Sequence, residues 1–416
     1  MSAGNVSFED GWLKSHKKAF LADPSIKQAD KDLIEQFILE YGTSRNHNAR
    51  TTYKYYSYFK NVLRFLEVPL QKMTYPEYLR FRRALKNDDL KKTGSEEGLT
   101  FQGEPYSESS KEDFDSLLRR VLRWQKRHAK AKGKAEIERI LEESPFKQDK
   151  SKVKDPVIFT EDEILRMIKY AENPRDRALI AVLWETGARI SELMTLTIGS
   201  LKPLKVDDKE HGFIMAMEQS KTTKRTLPLI ESAAFLKEYL NTHPEAKNPE
   251  APLWITRGLQ KPLNHSSVLK IVKSVAARAK IKKRVYNHLF RHSRATFLAD
   301  KGWSEVQLCS WFGWKIGSDM PATYIRRSGI NLTNVALEMH GLKPKNGESE
   351  KSQLLPLNCY FCKHPNPSTN SYCEKCGKPL DPTKIAESER NASDVINALV
   401  EAKINEILVK KGLGRA

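Results

Sequence analysis

Tyr286-Asn287-His288-Leu289-Phe290-Arg291-His292-Ser293-Arg294-Ala295-Thr296-Phe297-Leu298 is the stretch around which the rest of the chain can be ordered. His288 and Arg291 stand three residues apart on what reads as the start of a helix, so an imidazole and a guanidinium project from one face toward a common ligand. That ligand is expected to be an anion. Arginine presents a fixed fork of donors matched to phosphate oxygens, and histidine moves a proton near neutral pH. Trp311-Phe-Gly-Trp314 follows, and Tyr324, in Ala322-Thr-Tyr-Ile325, is a candidate nucleophile. Taken singly, each piece is more often a solvated helix face or a core residue, so the rest of the chain has to decide.

The 416 residues exceed one ordinary domain and suggest two or three, and a hydrophobic fraction of 39% suffices for real cores. Lys and Arg number 71 against 52 Asp and Glu, a formal charge of +19. That excess favours a polyanionic partner, because neutralised phosphates release condensed counterions. No apolar run approaches the roughly 18–20 residues that span a bilayer, and Met1-Ser-Ala-Gly-Asn-Val-Ser-Phe-Glu-Asp has no signal-peptide pattern; a cytoplasmic protein is expected. Of five cysteines, four fall in two Cys-x-x-Cys pairs and Cys309 stands alone, which in a reducing compartment points to metal rather than disulfides.

In chain order, residues before about 20 carry little signal. Leu33, Ile34, Phe37 and Ile38 share a helical face that Tyr41-Gly42 should end, and Tyr55, Tyr56, Phe59, Val62, Leu63 and Leu66 form a core stripe on a helix from about Ala49. A helix near Tyr75–Leu85, a polar loop to about Ser107 and a helix bearing Phe114, Leu118, Val121, Leu122 and Trp124 follow; its outer face is expected to carry Arg119, Arg120, Arg123, Lys126 and Arg127. Residues 1–142 thus read as a small, basic, all-helical domain. The lysine-rich, proline-bracketed segment 143–156 reads as a linker.

Thr160 with Glu163 makes a capping box, and an apolar helix from Arg175 to Thr186 is broken at Gly187 before Arg189-Ile-Ser-Glu192-Leu. Strands are expected at Phe213–Glu218 and Arg225–Leu229, joined through Lys221 on a hairpin tip, then helices near Phe235–Asn241 and Ser266–Lys280. The fold class is therefore mainly α with a small antiparallel β-sheet. Cys359-Tyr-Phe-Cys362 and Cys373-Glu-Lys-Cys376 form two knuckles at a spacing that suits a closed, structural tetrahedral Zn²⁺ site; the segment 355–380 is similar to a short zinc ribbon. Within residues 385–416, Ser393–Lys411 reads as an amphipathic helix with Ile396, Leu399, Val400, Ile404, Ile407 and Leu408 on one face, packed within the chain or against a neighbouring protomer.

In order, the polar residues of the second domain are Arg189, Glu192, Lys221, His288, Arg291, Trp314 and Tyr324. This set resembles the tyrosine recombinase, or phage-integrase, family. The matching boxes are Thr186-Gly-Ala-Arg-Ile-Ser-Glu-Leu193, the Lys221 hairpin followed by Arg225-Thr-Leu-Pro-Leu229, His288-Leu-Phe-Arg-His-Ser-Arg-Ala-Thr296 and the terminal tyrosine. The resemblance implies that 157–345 is a catalytic domain and that 1–142 is a helical core-binding domain that grips DNA. One box departs: the family more often has histidine, in Leu-Gly-His, where Phe312-Gly-Trp314 stands here, which removes proton transfer at that position. The segment from Trp314 to Tyr324 is also one residue longer than the family pattern.

The resemblance further implies a site-specific DNA recombinase that cleaves and rejoins duplex DNA through a 3′-phosphotyrosine ester, with no ATP and no catalytic metal. Tyr324 would attack phosphorus while Arg189 and Arg291 clamp the non-bridging oxygens. Lys221 would protonate the leaving 5′ oxygen, and His288 would bind phosphate and help move the tyrosine proton. Trp314 would buttress the site and donate through its indole N–H, and Glu192 would orient it. A homotetramer on two recombining sites is the implied assembly. The rival readings are a tyrosine-type topoisomerase, which cuts one strand without a partner site, and a DNA-binding regulator whose catalytic site has decayed.

Overall fold

The structure, a computed structural model, describes residues 6–44, 49–96, 99–147, 157–218, 224–325, 340 and 352–410. It is mainly helical with small antiparallel sheets and divides into two compact units, Met1–Asp155 and Pro156–Ala416.

The first unit runs α1 (Val6–Leu21), α2 (Gln28–Ser44), α3 (Ala49–Leu63), α4 (Tyr75–Lys86), β1 (Lys91–Glu96), β2 (Leu99–Pro105), α5 (Glu108–Gln125) and α6 (Ala131–Glu142). The aromatic stripe of α3 is core: Tyr55, Tyr56, Phe59, Val62 and Leu63 are buried, and Phe37 of α2 lies edge-on to both Phe59 and Trp124. Thr74 and Glu77 cap α4 reciprocally.

Several expectations for this unit are corrected. α1 forms although its sequence is only weakly periodic; it is held by tertiary packing, with Phe20 buried against Tyr56. α2 continues past Gly42 to Ser44. The segment read as a polar loop before Ser107 is the antiparallel β1–β2 hairpin. Lys-Lys-Thr-Gly-Ser-Glu has no alternating apolar pattern, so its ladder of backbone hydrogen bonds leaves no hydropathy trace. Arg119, expected on an outer face, is buried. It donates to Tyr78 Oη and to the carbonyls of Ile140, Leu141 and Glu143, so one guanidinium satisfies the C-terminal end of α6, a helix the sequence pattern did not reveal.

The second unit runs α7 (Glu161–Lys169), α8 (Pro174–Thr186), α9 (Ile190–Leu193), β3 (Leu201–Val206), β4 (Lys209–Met217), β5 (Arg225–Leu229), α10 (Ala233–Thr242), α11 (His265–Arg278), α12 (Asn287–Asp300), α13 (Glu305–Phe312), α14 (Asp319–Ile325), β6 (Leu357–Asn358), β7 (Pro365–Asn366) and α15 (Pro382–Lys410). α8 is the central helix. Asn173 caps its start, Pro174 occupies its first turn, and every residue from Ala178 to Thr186 is buried, so it has no solvated face.

Glu185, buried inside that helix, accepts from the backbone N–H groups of Ile230, Glu231 and Ser232 and from Ser232 Oγ. The carboxylate thereby anchors the turn that opens α10. The sheet has the order β3-β4-β5. β3 was not expected: with Pro203 and two lysines it is mostly solvated, and only its pairing to β4 makes it a strand. Lys221, between β4 and β5, lies outside the described residues, as does Leu408's side chain.

Beyond α14, Leu354 is buried in the main core of this unit, and Gln353 N donates to Glu161 Oε1 at 3.0 Å, which ties the cysteine-bearing segment to α7. α15 starts at Pro382, well before Ser393. Its Ile396, Leu399, Val400, Ile404 and Ile407 are exposed. Among the described residues, no helix is long and apolar enough to cross a membrane.

Candidate active site

The end of α8 brings the polar residues together. Gly187 closes the helix in the left-handed conformation, φ +55°. A Cβ there would lie 2.7 Å from the Phe312 ring and 3.3 Å from the Arg291 Cα, so only glycine lets α12 and α13 approach this closely. The chain then turns through Arg189, whose Nη1 donates to Glu192 Oε1 at 2.8 Å and whose backbone N donates to Oε2 at 3.1 Å. From the first position of β5, Arg225 Nη2 donates to Glu192 Oε2 at 2.9 Å. Burial alone would raise the Glu192 carboxyl, but the hydrogen bond and charge of Arg225, then those of Arg189, outweigh it and hold it at about 2.

Arg291 comes from α12 and is buried. Its guanidinium donates to the carbonyls of Gly187 (3.2 Å) and Phe312 (2.7 Å) and lies over the rings of Phe312 and Trp314, 5.0 and 5.2 Å from their centroids. Burial first, then the positive charge of Arg189, draws its pKa down to about 9, with Arg225 adding to the repulsion and Glu192 opposing it. Two guanidiniums paired to one carboxylate, with Arg291 within electrostatic reach of all three, leave a surplus of positive charge in a desolvated place. An oxyanion with several acceptors would relieve it.

His288, one turn earlier on α12, is exposed as a residue, yet loss of hydration at the ring and then the charge of Arg291 and Arg189 hold its pKa below the ordinary histidine value. The imidazole is thus neutral at pH 7 and can both donate and accept.

Tyr324, on α14, is buried with its ring stacked on Trp314: centroids 5.4 Å apart, planes within 6°. Trp314 stacks in turn on Phe312 at 4.7 Å. The Tyr324 hydroxyl and His292 Nδ1 are hydrogen-bonded at 2.6 Å. Trp314 therefore meets the tyrosine through its face. Beside it, the indole N–H of Trp311 donates to Thr186 O at 3.0 Å and pins α13 to the end of α8.

Arg189, Glu192, Arg291, Trp314 and Tyr324 are thus brought together, with His288 at the rim. Two residues of this cluster were not singled out from the sequence, His292 and Arg225. A signal for His292 was present, since it follows His288 by four residues and so shares its helix face. Arg225 opened the matched Arg225-Thr-Leu-Pro-Leu229 segment, but nothing in its spacing assigned it to the site.

Away from this cluster, Cys359, Cys362, Cys373 and Cys376 have sulfurs all within 4.8 Å of one another, with Cys359–Cys376 and Cys362–Cys373 both at 3.6 Å. They form no disulfide. The two knuckles repeat one turn: Lys363 N donates to Cys359 O and Gly377 N to Cys373 O, both at 2.9 Å, and Lys363 and Gly377 both have positive φ. The backbone N–H of Cys362 chiefly, and that of Phe361, lower the pKa of the Cys359 thiol. At Cys376 the N–H of Lys378 acts the same way, but burial and the other three sulfurs outweigh it and push the thiol up to about 12. Four sulfurs this close cannot all carry charge without a cation among them.

Residues 158–328 match the model of the phage integrase family. Among curated proteins, tyrosine recombinase XerD of Staphylococcus aureus is 30% identical over 174 residues, which cover 39% of this chain and 54% of the relative. XerD of Oceanobacillus iheyensis is 28% identical over 156 residues, 35% of this chain and 50% of that protein. The chain spans about half the length of these curated relatives.

Among solved structures, the XerH site-specific recombinase bound to palindromic difH substrate aligns at TM-score 0.49 and 15% identity, over 80% of this chain and 96% of that one. A lambda integrase dimer bound to a COC′ core site aligns at TM-score 0.47 and 19% identity, over 77% and 78%.

Proposed function

We propose that the chain is a site-specific DNA recombinase or integrase of the tyrosine class. The observation that carries this reading is the pairing of Arg189 and Arg225 to one buried carboxylate within electrostatic reach of buried Arg291, near a tyrosine hydrogen-bonded to histidine. The matched family segment and the XerD relatives support it.

In this reading Arg189 and Arg291 hold the non-bridging oxygens of the scissile phosphate, and Glu192, fixed as a carboxylate, aligns Arg189 and Arg225. The Tyr324 oxygen forms a bond to phosphorus as the bond to the 5′ oxygen breaks. His292 takes the phenolic proton, Lys221 supplies one to the leaving 5′-hydroxyl, and His288 binds the phosphate from the rim. The 3′-phosphotyrosine ester keeps the bond energy, so rejoining is the same step reversed, without ATP or catalytic metal. Tyr324 must leave its stack on Trp314 to reach a backbone, so the pose in the structure is read as that of the DNA-free enzyme.

Residues 1–142 are read as the second half of a DNA clamp, and a homotetramer on two sites as the working assembly. The four cysteines are assigned a structural Zn²⁺: a tetrahedron with Zn–S of about 2.3 Å has edges of about 3.8 Å, close to the 3.6 Å sulfur pairs. With all four positions filled by protein, that ion would hold the module's fold and leave chemistry to the arginine cluster.

The test is a denaturing-gel assay with nicked suicide duplexes, without added metal or ATP. Wild type should form a covalent adduct, and Tyr324→Phe should form none while binding duplex with unchanged affinity. An adduct that persists in Tyr324→Phe would show that another residue is the nucleophile; no adduct in wild type despite tight binding would favour a regulator.

A further inference from the structure

The cysteine module presents a surface that the proposed recombination chemistry does not use. Tyr360, Phe361 and Tyr372 are exposed at 60%, 40% and 56%. Single exposed aromatics are ordinary, but three within thirteen residues, all beside the metal knuckles, are not accounted for by packing. Each ring has a lysine ammonium over it: Lys363 over Tyr360 at 5.1 Å, Lys378 over Phe361 at 5.4 Å and Lys384 over Tyr372 at 5.8 Å. Of the nearby carboxylates, Glu374 accepts from Asn370 Nδ2, and Asp381 accepts from Thr383 while its charge also acts on Lys384. Among the described residues none of these three lysines forms a salt bridge. Tyr360 and Phe361 stand edge to face at 5.3 Å, so a flat guest can stack on one ring while touching the other.

We propose that these rings and lysines bind unpaired nucleic-acid bases, taking single-stranded DNA as the ligand. A base has a π-face of its own and displaces the ammonium from the ring. The phosphate attached to that base lies within a lysine's reach, so the displaced cation exchanges a ring for an anion. A protein partner would be expected to cover such rings with apolar side chains and to meet the lysines with carboxylates. The pairing of every ring with a cation favours a ligand whose planar and anionic groups alternate. This rests on the recombinase reading, in which strand exchange exposes unpaired segments, and places the module as the holder of a displaced strand.

The experiment uses the full chain and fluorescence anisotropy with an oligo-dT strand and with a mixed-sequence duplex of the same length, at a salt concentration high enough to suppress purely ionic binding. Tyr360→Ala, Phe361→Ala and Tyr372→Ala should each weaken oligo-dT binding by roughly five- to tenfold. Duplex binding should change by less than about twofold, while Tyr360→Phe binds as wild type. Zinc content of each variant reports that the knuckles remain folded. Unchanged oligo-dT affinity in the folded triple variant overturns the proposal, as does a loss of oligomer mass in that variant with oligo-dT binding intact, which would make the rings a protein interface. Absence of duplex binding by wild type in a parallel titration at low salt, where phosphate contacts act at full strength, would instead overturn the recombinase reading.

Discussion

At the scale of single residues, the charge arrangement makes the sharpest statements. Glu192 titrates near 2 in the folded chain against an ordinary value of 4.5. A carboxyl whose pKa is depressed by folding contributes its full stability above the unfolded value and loses it as pH falls through the folded one, so the contribution should fade between pH 4.5 and 2. Glu192→Gln should lower unfolding free energy at neutral pH by on the order of 3 kcal/mol and flatten the acid limb of a denaturation series over that window. His292 is tested differently. If it takes the Tyr324 proton, His292→Gln should slow adduct formation on suicide substrates by about 10²- to 10⁴-fold at pH 7 with duplex affinity unchanged; equal rates would return that role to His288.

Elements set where those residues meet. The left-handed turn at Gly187 ends α8 and clears space for Phe312, whose carbonyl in turn receives Arg291. Gly187→Ala should therefore destabilise the fold by about 2 kcal/mol, from a strained φ and an overlapping ring together. It should also reduce adduct formation more than Tm alone explains, because Arg291 shares the displaced neighbour; thermal melts and suicide-substrate gels on one preparation separate the two effects. Much of this level was readable beforehand. The break after Thr186, the capping box at Thr160 and the pairing of Arg189 with Glu192 follow from local spacing. The hairpin of β1 and β2, the strand β3, and helices α1 and α6 were not readable, because their sequences carry no clean period and they are held by pairing or docking.

For the molecule as a whole, the cysteine module is the part with the least core of its own. Its sulfurs and short β6–β7 pair hold it together, while Leu354 and Glu161 fasten it to the body of the second unit. On the proposal that the four cysteines hold zinc, a strong chelator should release one ion per chain and open residues 357–381 to proteolysis. The main melting transition of the second unit should shift little, since its core cluster contains none of the four cysteines. A single loss of all structure on chelation would show instead that the ion supports the whole unit.

What the sequence determined alone was whatever depends on neighbours within a turn or two: the helical class, the caps and breaks, the two cysteine knuckles, and the placing of histidine and arginine on one face of α12. Short-range sterics and backbone hydrogen bonding dictate these, and both are written in residue type and spacing. Tertiary structure alone decided that Tyr324 meets His292 and stacks on Trp314, that Arg225 reaches Glu192 from a strand, and that Arg119 is buried at the end of α6. Those pairings join groups 21 to 33 residues apart or in different elements, and they exist because close packing leaves each buried charge one place where its donors or acceptors can be satisfied.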